Sequence, residues 1–321
     1  MAISQNMNES KRQYKYGRKI VIGAVLFLAF GFCFFASPAE ALVTSTNSVL
    51  IYGDATSTAG NVDNLRFRTL TAPNTWNAET ATVDPGLTAV TTNTIVWVRG
   101  ESAPTRDEVI AGMQGELGEV AFTRRGGSTW SNLFVPATST VTQTCNTTTG
   151  SCWQSFDVAY EQLSGDAIMA YGKPGNDGII YYRTWDGVAT SSEQSFTFNS
   201  GSSADTYWVK LVPDGKNLAA QRSDKMILLI GDATNRVSAA VWNGSSFMSS
   251  TTITTTGGLG TSTRAFDAAW ESISGNGLVV YASSTAASAT PFQYKKLASS
   301  TLAWDSTGTD FGTVSSTVGS W

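Results

Sequence analysis

Two stretches of the chain, FDVAYEQLSGDAIMAY at residues 156–171 and FDAAWESISGNGLVVY at residues 266–281, begin 110 residues apart. Phe, Asp, Ala, Glu, Ser, Gly and Tyr recur in them at matching positions. A strand-like segment, IIYYRTW, follows the first copy, and weaker relatives of it occur elsewhere, aligned at Leu70, Arg125, Trp185, Trp242 and Leu297. These positions are 55 to 60 residues apart. The 110-residue echo is therefore two steps of one internal repeat.

Each repeat has the pattern of four short strands. FDVAYE is rich in aromatic and β-branched residues, and the SGD that follows it is a turn signal. AIMAYG is nearly all apolar, as expected of a strand covered on both faces. IIYYRTW, a DG or NG turn and a polar strand such as EQSFTF complete the unit. No segment after the N-terminal apolar run shows a helical period.

Four antiparallel strands every 50 to 60 residues are typical of a β-propeller blade. The sequence predicts an all-β, propeller-like array of about five four-stranded repeats. The alternatives are a row of β-sandwich modules, which need about 100 residues each, or a β-solenoid. The predicted repeat units cover approximately residues 47–90, 91–150, 151–204, 205–262 and 263–321.

The YRTWDG strand and turn, preceded by FDVAYE and SGDA, resembles the tandem repeats of secreted bacterial surface proteins with sialidase-type or other β-propellers. The resemblance implies the propeller fold. It carries over no catalytic residue, because the sialidase pattern Ser-x-Asp-x-Gly-x-x-Trp is not met. The closest segment, GNDGIIY around Asp177, lacks both the Ser and the Trp.

The first 41 residues have the pattern of a secretory signal peptide. A basic segment precedes an uncharged apolar run at residues 20–36, and Ala39 and Ala41 form an A-x-A cleavage pattern. We expect cleavage after Ala41, an exported β-repeat domain at residues 42–321, and membrane contact only through the signal before cleavage. The alternative is an uncleaved membrane anchor, since the apolar run is near the lower length limit for a span.

Cysteine and histidine usage restricts the chemistry. Cys145 and Cys152 remain after signal removal and enclose a short loop, which predicts a disulfide in an oxidising compartment. The chain has no histidine, which excludes a Ser-His-Asp triad and any histidine-ligated metal. We therefore predict no cofactor and no metal site. The net charge of −4 does not provide the excess of positive charge that is typical of nucleic-acid-binding proteins.

The repeated acidic residues are the first candidates for a binding site. Asp157 and Glu161 recur as Asp267 and Glu271, and residues two apart on a strand share a face. They could form a cation site or a glycosidase carboxylate pair. In the alternative interpretation they are structural, capping turn amides or pairing with Arg183.

The third strand of the repeat and the tryptophans supply the other candidates. Arg183 belongs to a row of basic residues that could hold an acidic glycan or could solvate the exposed side of the strand. Tryptophans could stack on sugar rings, or could pack between blades because aromatic side chains bury large areas; the candidates are Trp97, Trp153, Trp185, Trp208, Trp242 and Trp270.

These observations predict an exported, non-catalytic binding or adhesion module whose ligand is a glycan or a surface protein. The alternatives are a sialidase-like glycoside hydrolase using paired carboxylates and a structural subunit of a surface layer or filament. The first repeat begins with a second-strand sequence, SVLIYGD at residues 48–54. We therefore expect an exposed strand edge there, in an incomplete or open ring.

Overall fold

The computed structural model describes ten ranges of the chain: 48–53, 65–72, 75–82, 95–136, 152–175, 178–199, 204–215, 222–255, 264–283 and 292–311. Within them the backbone forms strands and turns, and no helix is long and apolar enough to cross a membrane. The signal segment and Cys145 lie outside the described residues, so the cleavage site and the Cys145–Cys152 disulfide stay predictions.

The strands form five antiparallel sheets, which we call blades 1 to 5. Blade 1 comprises β1 (Ser48–Gly53), β2 (Leu65–Ala72), β3 (Thr75–Trp76) and β4 (Thr80–Ala81). Blade 2 comprises β5 (Ile95–Ser102), β6 (Glu108–Gly115), β7 (Val120–Gly126) and β8 (Thr129–Phe134). Blade 3 comprises β9 (Phe156–Tyr160), β10 (Ala167–Tyr171), β11 (Ile179–Trp185) and β12 (Gln194–Thr197).

The last two blades continue the same up-and-down order. Blade 4 comprises β13 (Thr206–Pro213), β14 (Lys225–Asp232), β15 (Val237–Asn243) and β16 (Phe247–Thr254). Blade 5 comprises β17 (Phe266–Trp270), β18 (Gly277–Ala282), β19 (Phe292–Ala298), β20 (Ala303–Trp304) and β21 (Thr309–Asp310). The predicted all-β array of about five repeats is confirmed.

The strand registers reproduce the alignment of the repeats. Each aligned third-strand residue pairs with a second-strand residue, in the couples Ser48–Leu70, Val109–Arg125, Ala167–Trp185, Met226–Trp242 and Gly277–Leu297. A single register therefore relates all five blades, and any residue can be compared with its equivalents in the other blades.

The first strands of blades 2 to 5 lie next to one another in chain order: β5 contacts β9, β9 contacts β13, and β13 contacts β17. We call them the inner strands. Blade 1 begins with its second strand, and β1 pairs only with β2 in the part of the chain that the structure describes. The sheets do not close into a ring there, as expected of an incomplete propeller.

The core lies between blades. Phe156, Val158 and Tyr160 of β9 pack against blade 2, whereas Ala159 packs against blade 4. Every residue of β10 is buried, which confirms the prediction that the apolar second strand is covered on both faces. Glycine allows close packing of blades 2 and 3: a Cβ on Gly112 of β6 would lie 2.6 Å from the Phe156 ring.

Candidate functional site

One position of the inner strands carries a charge in all four blades. Arg99, Asp157, Lys210 and Asp267 are equivalent, each opposite a small or apolar second-strand residue. The sign of the charge alternates from blade to blade. We call these four residues, together with Glu101 on β5, the inner wall.

Asp157 is the centre of the inner wall. Its side chain is fully buried, and Arg99 Nε donates to its Oδ1 over 3.0 Å. Its Oδ2 accepts the Leu211 backbone N–H over 2.8 Å. Burial opposes the charge on Arg99, but the neighbouring Asp157 carboxylate raises the Arg99 pKa above its ordinary value. Asp157 thereby joins blades 2, 3 and 4.

The other charges of the inner wall are more accessible. Burial raises the pKa of Glu101, the negative charge of Asp157 adds to this effect, and Arg99 and Lys210 oppose it. Lys210 is half-buried and Asp267 is exposed. Both signs of charge are therefore available to a polar ligand within one surface.

An aromatic cluster adjoins the inner wall. Trp97 and Trp208 precede Arg99 and Lys210 by two residues on their strands and so share their faces. The Trp97 and Trp208 rings are 6.0 Å apart, edge to face. Trp153 stacks on Tyr207 at 4.5 Å. Such pairs combine a large apolar area with a polar N–H or O–H tip.

Three N–H donors beside this cluster have no acceptor in the described part of the chain. They are Trp97 Nε1, Gln114 Nε2 and Trp153 Nε1, and all three atoms are buried. Gln114 lies opposite Trp97 in the β5–β6 register, and its Oε1 accepts the Ser155 backbone N–H. Buried donors normally find a partner, so this end of the inner strands favours a ligand or water that offers acceptors.

Trp185 and Trp242, the two candidate tryptophans on third strands, lie outside the aromatic cluster. Trp185 is 5% exposed and donates its N–H to Glu108 of blade 2, and Trp242 is 3% exposed and donates to Glu161 of blade 3. Their ring faces are covered by neighbouring blades. Burial raises the pKa of Glu161, while hydrogen bonds from Ser164 and Trp242 oppose the shift.

The structure does not bring the candidate carboxylates together as a reacting pair. Asp157 contacts Arg99 and a backbone amide, and Glu161 contacts a serine and a tryptophan. Glu271 is exposed and accepts the turn amides of Ile273 and Ser274, at 3.2 and 2.6 Å. Within the described ranges no three carboxylate or thiol side chains group closely enough to hold a metal ion.

Arg183 also lies apart from these carboxylates. Its guanidinium carbon is 4.7 Å from the centre of the Phe134 ring in blade 2, and among the described residues no ion pair joins it to Asp157. The basic third-strand residue therefore contributes to the packing of blades 2 and 3.

Sequence reasoning missed Arg99, Glu101 and Lys210, and it did not distinguish the tryptophans of the aromatic cluster from those that pack between blades. It compared the repeats for identical residues, found Asp157 and Asp267, and passed over YWVKLVPDG because it lacks the acidic pair. The register of the inner strands against the second strands places Lys210 at the position of Asp157. The sequence signal is a charged residue of either sign at this one position, and it is visible once the inner strands are aligned by that register.

Comparison with solved structures relates the fold to known propellers. The chain is similar to the BP39L lectin from Burkholderia pseudomallei, with a TM-score of 0.51 and 10% identity over 82% of this chain and 66% of that one. It is also similar to the lectin of Aleuria aurantia, whose structure is described as a six-bladed β-propeller with a fucose recognition mode: TM-score 0.39, 14% identity, 83% of this chain and 78% of that one.

A third similarity is to an exo-β-1,3-galactanase from Phanerochaete chrysosporium, with a TM-score of 0.35 and 12% identity over 64% of this chain. The chain spans 47% of that enzyme and 66% of the Burkholderia lectin, which is less than two thirds of either. No protein-family model and no curated protein matches the chain. At these identities the likeness shows a β-propeller-like fold.

Proposed function

We propose that the chain is a non-catalytic carbohydrate-binding module that acts outside the cytoplasm. The observation that carries the proposal is the inner wall of alternating charges beside the aromatic cluster and its unpaired N–H donors. Export is supported by the signal-peptide pattern of residues 1–41.

A sugar presents chemistry that matches this surface. Its hydroxyl groups both donate and accept hydrogen bonds, and its ring has apolar C–H faces. Asp267 and Glu101 supply acceptors, Arg99 and Lys210 supply donors, and Trp97 supplies an aromatic ring that is half-buried. A few placed polar groups against aromatic side chains are the usual composition of small-ligand sites.

The fold supports the same proposal. Lectins are among the solved structures that the chain resembles, and fucose recognition is described for the one from Aleuria aurantia. We carry the carbohydrate class over to this chain as a proposal and leave the particular sugar open.

The carboxylate geometry favours binding over hydrolysis. Glycosidases place two carboxyl groups on either side of the scissile bond, with room for the sugar between them. Asp157 is fully buried and ion-paired, and Glu161 is held by Ser164 and Trp242. Neither is free to act on a bound sugar.

A glycan array tests the proposal. Residues 42–321 should bind a restricted set of oligosaccharides, and Lys210→Ala and Asp267→Ala should each weaken binding about tenfold or more, because each removes a charge-assisted hydrogen bond. Trp76→Ala is the matched control: Trp76 lies in blade 1 and is 43% exposed, so its loss should leave the pattern unchanged. Absence of binding to any glycan would refute the function, and binding insensitive to both inner-wall variants would refute the site.

A further inference from the structure

A cleft of about 690 Å³ separates blade 1 from blade 2. One side of it is formed by residues 48–51 of β1. The other is formed by Val98, by residues 100–109 and by Arg125. The cleft lies where each of the other blades has its inner strand, since β1 is a second strand without one in the described part of the chain.

The edge of β1 that faces away from β2 has no backbone partner in the ranges that the structure describes. The equivalent strands β6, β10, β14 and β18 are each paired on both edges. An open strand edge presents unpaired N–H and C=O groups and is a template for adding an extended peptide. β1 has six residues, against five in β10, six in β18 and eight in each of β6 and β14, so its edge is long enough to pair with an inner strand.

Arg125 gives the cleft a positive charge that favours an anionic ligand. Arg125 is 7% exposed, and among the described residues its buried Nε has no hydrogen-bond partner and no carboxylate forms an ion pair with it. The adjacent Arg124, in contrast, donates to Glu108 over 2.7 Å. A buried guanidinium N–H without an acceptor is costly to the fold, and an anion in the cleft that Arg125 lines would relieve that cost.

The register shows where such an anion belongs. Arg125 occupies the same position as Trp185 and Trp242. Those two side chains donate to glutamates of the preceding blade, Glu108 and Glu161. Glu161 follows directly after its inner strand, β9, whereas Glu108 is the first residue of the second strand β6. The place in blade 1 that is equivalent to Glu161 is the first residue after a strand added to β1.

We propose that this cleft binds an extended acidic polypeptide, which adds to β1 as an antiparallel inner strand. The Asp or Glu that directly follows this strand then lies against Arg125. Alternation of apolar and polar residues in the added strand matches the two faces of an inner strand, and the carboxylate sets its register. The occupant is a peptide because a peptide supplies both backbone groups that pair with the open edge of β1 and a carboxylate that pairs with Arg125.

The chain contains a suitable probe. A fluorescein-labelled synthetic peptide copying residues 155–165 has an inner-strand sequence followed by Glu161. Titrated with residues 42–321 and followed by anisotropy, it should bind saturably. Arg125→Gln should weaken binding about tenfold or more, and a peptide carrying Glu161→Gln should weaken it equally. The two changes together should cost no more than either alone, because they remove one interaction.

Arg68→Gln is the matched control, because Arg68 is an exposed arginine on β2, and it should leave peptide binding unchanged. Circular dichroism of the Arg125→Gln protein reports whether it remains folded. Additive losses in the cycle, binding indifferent to Arg125, or no saturation at millimolar protein would overturn the proposal. Binding of polygalacturonate that depends on Arg125, without peptide binding, would also overturn it and assign the cleft to acidic glycans.

Discussion

Trp185 of blade 3 donates its indole N–H to Glu108 of blade 2 over 3.0 Å. One blade further on, Trp242 donates to Glu161 in the same way. The next aligned residue, Leu297, has no side-chain N–H, and Asp214, which follows β13 as Glu161 follows β9, keeps a buried Oδ1 without a partner in the described part of the chain. The indole–carboxylate link thus joins blade 2 to blade 3 and blade 3 to blade 4, and among the described residues none joins blade 4 to blade 5.

Trp185→Phe tests this link. The substitution leaves Glu108 buried with one donor fewer and should lower the free energy of unfolding by about 1.5–3 kcal/mol. Trp130→Phe is the control, because Trp130 Nε1 has no partner among the described residues. Urea denaturation followed by circular dichroism measures both. Equal losses in the two variants would show that the hydrogen bond contributes nothing.

Gly112→Ala tests the close packing of blades 2 and 3. The added Cβ would lie 2.6 Å from Phe156 and 2.9 Å from Phe122, so one of these rings has to move. We expect a loss of about 1–3 kcal/mol in unfolding free energy. Gly215→Ala, where nothing lies within 4 Å of the new Cβ, should stay within about 0.5 kcal/mol of the parent. A Gly112→Ala protein as stable as the parent would contradict the packing.

Glu161→Gln tests the electrostatics of the same interface. Burial raises the Glu161 pKa above its ordinary 4.5, so the folded protein holds the proton more tightly than the unfolded chain. Its contribution to stability is fully present below pH 4.5 and is lost as the pH rises through the folded pKa. As the pH rises from 4.5 through the folded pKa of Glu161, the unfolding free energy of the parent should therefore fall relative to that of Glu161→Gln, as measured by urea denaturation at each pH.

Asp186→Asn provides the opposite case. Hydrogen bonds from the backbone N–H groups of Ala189 and Val188 lower the pKa of the exposed Asp186, so its contribution is present at neutral pH and lost on acidification. The two differences from the parent should therefore run in opposite directions with pH. If the difference in unfolding free energy between the parent and Glu161→Gln does not change with pH, or changes in the same direction as that for Asp186→Asn, the interpretation of Glu161 is wrong.

The repeat could be read from the sequence because its most regular features are local. Turn signals such as SGD and the aromatic third strand fix strand positions without reference to neighbours, and Trp185 and Trp242 fall at equivalent positions. The burial of Trp185 and Trp242 could not be predicted from these local features, because each tryptophan is covered by the preceding blade.

The inner wall escaped the sequence analysis for a physical reason. Its residues interact across blades, and an ion pair such as Arg99–Asp157 requires opposite charges at equivalent positions. A comparison of repeats that looks for identical residues overlooks this position, because the residues of neighbouring blades carry opposite charges there. That Arg125 has no ion-pair partner among the described residues likewise depends on blade 1, which has no inner strand in the part of the chain that the structure describes.

Signal cleavage is the prediction on which the exported function depends. N-terminal sequencing of the protein recovered from the culture medium should return Leu42 as the first residue. The matched variant Ala41→Arg removes the small residue at the cleavage point and should retain the precursor in the membrane fraction. Intact Met1 in the membrane fraction of the unaltered protein would favour the anchor instead.

The most direct test of the account is a titration of residues 42–321 with the array's strongest oligosaccharide, followed by tryptophan fluorescence, with mass spectrometry of the sugar at the end. We predict a saturable change in emission whose amplitude Trp97→Phe reduces and whose midpoint Asp267→Ala moves about tenfold or more to higher sugar concentration, with the sugar recovered intact, because the aromatic cluster adjoins the inner wall. A cleaved sugar, or a saturable change whose amplitude and midpoint are the same in both variants as in the parent, would contradict non-catalytic binding at this site.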